Sequence, residues 1–235
     1  MGIARIIAAA ALAGLLGACA PQGPYASARG PAPVLLVGDS IFAWNGGLMR
    51  GDVGDHLSRA LGRAVENRSV VLARVSRRSG RGGAFGPDVA RQLDGAGRRD
   101  WIVIGGGGND VGRVCGCLTC EGMVDWLISK DGTTGAIPEM VARARAAGAR
   151  VIYVSYYGPS GRGGAYDICQ DELTALAERA EAMAARDPGV IHFSPAGVVS
   201  GADPSDYYFD DIHPSPSGSR KIGEALAALI AAQEA

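Results

Sequence analysis

Apolar residues fall in short runs separated by longer amphipathic or polar stretches. Val34–Val37, Val65–Leu72, Trp101–Ile104, Val151–Tyr156 and Val190–Phe193 read as strands, several of them bounded by glycine. Between them the period lengthens toward that of a helix. Gly46–Leu61 is loosely helical, with Leu48, Val53, Leu57 and Leu61 apolar and Gly51 and Gly54 weakening the pattern. Pro87–Leu93 reads as a short helix. Ile137–Ala147 reads as a longer one, with Pro138 in its first turn and Gly148 just past its end. Asp171–Arg186 places Leu173, Leu176, Ala177, Ala180, Met183 and Ala184 on one face, and Ser217–Ala232 forms a last helix. Arg74–Gly83 and Ser194–Ile212 read as loops, and Val111–Thr133 as irregular. Strands that alternate with helices in this way predict a parallel sheet covered on both faces. In such sheets ligands bind beyond the carboxyl ends of the strands.

The amino-terminal pattern is different. Ile6–Leu16 is an apolar run behind Arg5, too short for a comfortable membrane span and of the length of a signal peptide's apolar region. Leu16-Gly17-Ala18-Cys19 follows and resembles a bacterial lipoprotein cleavage box. The resemblance implies removal of residues 1–18 and a lipid on Cys19, with anchorage in the cell envelope, at the outer membrane facing the periplasm. Residues 19–33 are rich in Pro and Gly and read as a tether, so the folded domain is expected over 34–235.

Composition changes this picture little: 47% hydrophobic and 20% charged residues suit one globular domain. Lys plus Arg is 23 and Asp plus Glu is 24, which gives no support to nucleic-acid binding. Export changes the meaning of the cysteines. In an oxidising compartment Cys115, Cys117, Cys120 and Cys169 suggest disulfides, with one bond expected from Cys169 to the cluster. A four-thiolate zinc site is the rival arrangement.

The stretches that follow three of the strands carry chemistry. Gly38-Asp39-Ser40 follows the first, Gly107-Gly108-Asn109-Asp110 the third, and Asp210-Asp211-Ile212-His213 comes after the fifth. Together they supply a hydroxyl, a carboxamide and a carboxylate–imidazole pair, the groups acyl transfer requires. Serine needs a base to take its proton as it attacks. Imidazole suits that task near neutral pH, and a carboxylate on its far nitrogen fixes the tautomer. Asp211 is a rival to Asp210. His56, in a helix, and His192, in a strand, read as structural, and Asp39 and Asp110 as turn and capping groups. The nucleophile elbow G-x-S-x-G is missing, and so are the lysine and hydroxyl of a phosphate loop.

These three blocks resemble those of the SGNH, or GDSL, hydrolase family, over the chain from about Val34 onward. The resemblance implies a flavodoxin-like three-layer α/β sandwich of about five parallel strands, and a serine esterase that needs no metal or organic cofactor. It assigns Ser40 as nucleophile, His213 as base and Asp210 as its partner; the Asn109 side-chain amide and the Ser40 backbone N–H are the candidate oxyanion donors. The family's second block supplies a further backbone donor from a glycine. In this chain that position falls on Leu72 or, deeper in the loop, on Gly80, and a required positive φ would strain a leucine. The expected substrate is an ester-bearing small molecule, lipid or glycan. The alternative is a catalytically weak envelope protein that binds carbohydrate or lipid on the same fold. Arg74, Arg77, Arg78 and Arg81 form a basic loop, either a clamp for an anionic substrate or a solvated segment. Tyr207, Tyr208 and Phe209 either line a pocket or pack the acid–base turn.

Overall fold

In a computed structural model, which describes residues 32–75, 87–117 and 120–235, strands and helices follow one another as β1 (Val34–Val37), α1 (Ser40–Ala43), α2 (Val53–Leu61), β2 (Val65–Asn67), α3 (Val89–Gln92), β3 (Trp101–Gly105), α4 (Gly108–Asp110), α5 (Glu121–Leu127), α6 (Ala136–Ala146), β4 (Arg150–Val154), α7 (Gln170–Ala184), β5 (Val190–Phe193) and α8 (Pro216–Glu234). The strands form one parallel sheet in the order β2-β1-β3-β4-β5. This is the flavodoxin-like order, in which the chain reverses direction across the sheet beside β1 and opens a crevice at the carboxyl ends. The described residues belong to one compact unit, Pro31–Ala235. Among them no helix is long and apolar enough to cross a membrane.

Strand side chains alternate between the two faces. Leu35, Val37, Ile102, Ile104, Val151 and Tyr153 pack with α5, α6 and α7. Val34, Leu36, Trp101, Val103, Ile152 and Val154 pack with α2 and α8. Strands buried on both faces explain why their sequences read as continuous apolar runs rather than alternating ones. Each such residue gains roughly 1.5–3 kcal/mol from leaving water, which is what holds the three layers together.

Two segments depart from expectation. The second strand ends at Asn67 rather than Leu72. Arg68 and Val70 still donate their N–H groups to Leu36 O and Gly38 O, at 2.9 and 3.1 Å. The chain then turns at Leu72, whose φ is +66°, and Val70, Val71 and Leu72 lie exposed at the sheet edge. Residues 111–133 are not irregular throughout: a π-helical turn spans Val111–Cys115 and α5 follows, because Val124 and Leu127 supply an apolar face that buries completely.

Cys117 and Cys169 form a disulfide, so the bond expected from Cys169 to the cluster is present. Cys120 is also disulfide-bonded. Oxidised sulfurs cannot serve as zinc thiolates, so the four-thiolate arrangement is lost. Among the described residues no group of His, Cys, Asp and Glu is arranged to hold a metal. The pairing of Cys115 lies outside what is described. The Cys117–Cys169 bridge spans 52 residues. By loop-closure entropy, replacing both cysteines by serine should cost about 3–4 kcal/mol. In calorimetry the Tm should then fall by roughly 10 °C, and an unchanged Tm would refute this account.

Candidate active site

The crevice beyond β1, β3 and β5 brings the three blocks together. β1 ends at Val37 and the chain turns into α1 with Ser40 as its first residue. Asp39 caps this turn, its Oδ1 accepting the Ile41 N–H at 3.0 Å. From the far side of the sheet the loop after β5 delivers His213. Its Nε2 lies 2.8 Å from Ser40 Oγ, and its Nδ1 lies 2.6 Å from Asp210 Oδ2. Asp210 Oδ1 accepts the N–H groups of Ile212 and His213, at 3.1 and 3.0 Å. A proton on Nδ1, directed at Asp210, leaves the Nε2 lone pair free to accept the Ser40 proton. Burial alone would raise the Asp210 carboxyl, but bonds from the His213 ring, the His213 N–H and the Ile212 N–H outweigh it and hold the group below the usual carboxylate range.

Asp211 is turned elsewhere. Its carboxylate pairs with Arg162, and its φ of +60° carries the side chain away from the imidazole contact that Asp210 makes. Two residues that the sequence pattern did not mark hold the base in place. The Trp44 ring stacks on His213 with centroids 3.8 Å apart and planes 6° from parallel. Asn45 donates from its side-chain amide to Pro214 O at 2.9 Å, tying the end of α1 to the histidine loop. The spacing of Trp44 four residues after Ser40 was the only local sign, and it identifies nothing without the partner ring.

The opposite wall of the pocket is built from the segments that follow β2 and β3. Asn109 is 7% exposed, its Nδ2 donates one hydrogen to Ala73 O at 3.0 Å, its Oδ1 accepts from the Tyr166 hydroxyl at 3.3 Å, and its second amide hydrogen has no partner among the described residues. Asp110 Oδ2 accepts the Val75 N–H at 2.9 Å. These two contacts anchor the segment that carries Leu72. Ser40, Leu72 and Asn109 line one pocket of about 130 Å³ together with His213, Tyr157, Tyr166 and Leu173. The backbone N–H groups of Ser40 and Leu72 have no partner among the described residues. Leu72 thus takes the left-handed conformation a glycine would adopt freely, with its side chain 47% exposed. Gly80, Arg77, Arg78 and Arg81 lie outside the described residues, as does Cys19. Arg74 pairs through its backbone with the segment at Pro87 and Val89 and is not part of the pocket wall.

Tyr207 donates its hydroxyl to Gly158 O at 2.9 Å and packs edge-on against Tyr157. Tyr208 packs against Trp44, so Tyr207 and Tyr208 pack the acid–base turn, while Phe209 is exposed and none of the three lines the pocket. His192 bonds to Ser155 at 3.0 Å and His56 to Arg59, both away from the crevice.

A doubly covered parallel sheet whose switch-point crevice holds a hydrogen-bonded Ser–His–Asp chain, beside N–H groups without a partner among the described residues, suits an ester hydrolase. The chain belongs to the GDSL-like Lipase/Acylhydrolase family, whose model matches residues 36–221. No curated protein matches it. Solved structures with the same fold include a protein described as an SGNH hydrolase from Slackia heliotrinireducens, at 20% identity and TM-score 0.58, covering 86% of this chain and 100% of that one. A carbohydrate acetylesterase family member from Sinorhizobium meliloti aligns at 18% identity and TM-score 0.59, covering 84% and 96%. The aryl esterase of M. smegmatis aligns at 19% and 0.53, covering 85% and 98%.

Proposed function

We propose that this protein is a serine esterase that hydrolyses carboxylic esters with short acyl groups, acetyl among them, through Ser40, His213 and Asp210. The observation that carries the reading is the unbroken hydrogen-bond chain from Ser40 Oγ through His213 to Asp210. As Ser40 Oγ attacks the ester carbonyl, His213 Nε2 takes its proton and Asp210 stabilises the imidazolium. The carbonyl oxygen becomes negative and receives hydrogen bonds from Ser40 N–H, Leu72 N–H and Asn109 Nδ2–H. His213 then gives the proton to the departing alcohol, which leaves an acyl group on Ser40. Water, deprotonated by the same imidazole, releases the acid. The 130 Å³ pocket and its walls of Tyr157, Tyr166 and Leu173 favour a small acyl group. The fold shared with carbohydrate acetylesterases and an aryl esterase agrees with this reading.

The test is a rate screen of the purified domain on aryl esters from acetyl to octanoyl, with fluorophosphonate labelling of Ser40 alongside. Turnover highest on the shortest esters supports the reading. No turnover and no labelling would favour the weakly catalytic binding protein. The Leu72 role has its own check. Leu72→Gly keeps both the N–H and the positive φ, so kcat should stay within about threefold. Leu72→Pro removes the N–H and forces φ negative, so kcat should fall on the order of 10²-fold. Equal rates for the two variants would remove Leu72 from the oxyanion site. The amino-terminal box supports a lipid on Cys19 and an envelope location. Cys19→Ala should then shift the protein from the membrane to the soluble fraction, and an unchanged distribution counts against the anchor.

A further inference from the structure

Ser40 and Asn109 stand on different loops, and neither loop by itself fixes the spacing between them. One side chain joins the two. Tyr156 lies just past the end of β4, and its hydroxyl donates to Asp39 Oδ2 at 2.6 Å while accepting the Gly108 N–H at 2.8 Å. Asp39 immediately precedes Ser40, and Gly108 immediately precedes Asn109. The same hydroxyl therefore ties the turn that carries the serine to the turn that carries the carboxamide. The ring has a second effect. A Cβ at Gly108 would sit 2.7 Å from Tyr156 Cζ, so the ring fills the place that a side chain in this position would need. Any larger residue between Gly107 and Asn109 would have to displace that ring. Asp39 is 3% exposed, and burial raises its carboxyl against the opposing bonds from Tyr156 and the Ile41 N–H. A buried carboxylate that loses a hydrogen-bond donor becomes costly, which keeps the hydroxyl in place.

We propose that Tyr156 is a positioning residue that sets the spacing between Ser40 and the oxyanion donor Asn109. The inference rests on the esterase reading and goes beyond it by naming what aligns its two halves. It also distinguishes Tyr156 from a tyrosine that merely fills the core.

Tyr156→Phe keeps the ring and removes only the bridge. On an aryl acetate kcat should fall about tenfold, with KM changed by less than about twofold, because alignment in the transition state is lost rather than binding. In an Asn109→Ala background the same substitution should cost nothing further, since the group it aligns is gone. An unchanged kcat, or an equal loss in both backgrounds, overturns the proposal. Should Tyr156→Phe fold poorly, Asp39→Asn reaches the same link with the ring intact, and the same pattern of loss is expected. The side-chain amide resonances of Asn109 give a readout without turnover. They should move in Tyr156→Phe, and unmoved resonances overturn the proposal. A wild-type protein that hydrolyses no ester would instead defeat the esterase reading and leave the resonance test standing.

Discussion

Ser40→Ala is expected to lower kcat on aryl acetates by on the order of 10⁴-fold or more, to a residue of catalysis supplied by the oxyanion donors alone. The oxygen removed is the only hydroxyl within bonding distance of His213 Nε2, at 2.8 Å, among the described residues. The tyrosine hydroxyls of the pocket are engaged elsewhere: Tyr156 with Asp39 and Gly108, Tyr157 with Ile212 O and Tyr166 with Asn109 Oδ1. Folding should change little, since the substitution deletes one hydrogen bond of about 1 kcal/mol and opens no cavity larger than an oxygen atom. The measurement is initial rate on the purified variant, with circular dichroism and Tm to show that the fold is intact. Rates equal to wild type would remove Ser40 from the reaction.

Asp210→Asn should cost about 10³–10⁴-fold in kcat, and Asp211→Asn less than about tenfold. The first replaces the carboxylate that accepts from His213 Nδ1 at 2.6 Å. An amide nitrogen placed there would favour the wrong imidazole tautomer, an effect near 10⁴ in the serine-protease triad. Asp211 bonds to Arg162 instead, and asparagine tolerates its left-handed φ of +60° well. The adjacent pair thus forms an internal control with one variable, the direction of the carboxyl. Hydrogen bonds from the His213 ring, the His213 N–H and the Ile212 N–H outweigh burial and hold the Asp210 carboxyl below the usual range. Its contribution to stability is present above the ordinary carboxylate pKa and is lost as pH falls through its lowered value. Asp210→Asn should therefore flatten the acid limb of a stability profile as well as slow the reaction. A larger activity loss in Asp211→Asn would reverse the assignment.

Much of the site is visible before folding because it is written in contiguous blocks. Gly38-Asp39-Ser40, Gly107 to Asp110 and Asp210 to His213 each place a reactive group directly behind a strand or in one turn. The strands themselves are legible because burial on both faces demands continuous apolar runs. Cys169 could be matched to the cysteine cluster but not to Cys117 in particular, since spacing does not determine which sulfur lies nearest.

Local sequence therefore determined the strand and helix pattern, the doubly covered parallel sheet, the candidate hydroxyl, imidazole and carboxamide, and the family. Tertiary structure decided the rest. It ended the second strand at Asn67 and put Leu72 at φ +66°, because an edge strand without an outer neighbour is free to turn away. It chose Asp210 over Asp211, stacked Trp44 on His213, and ran Tyr156 between Asp39 and Gly108. Each of these depends on the order in which strands lie side by side. That order is set by packing between residues far apart in the chain, and the short-range pattern of apolar and polar positions does not record it.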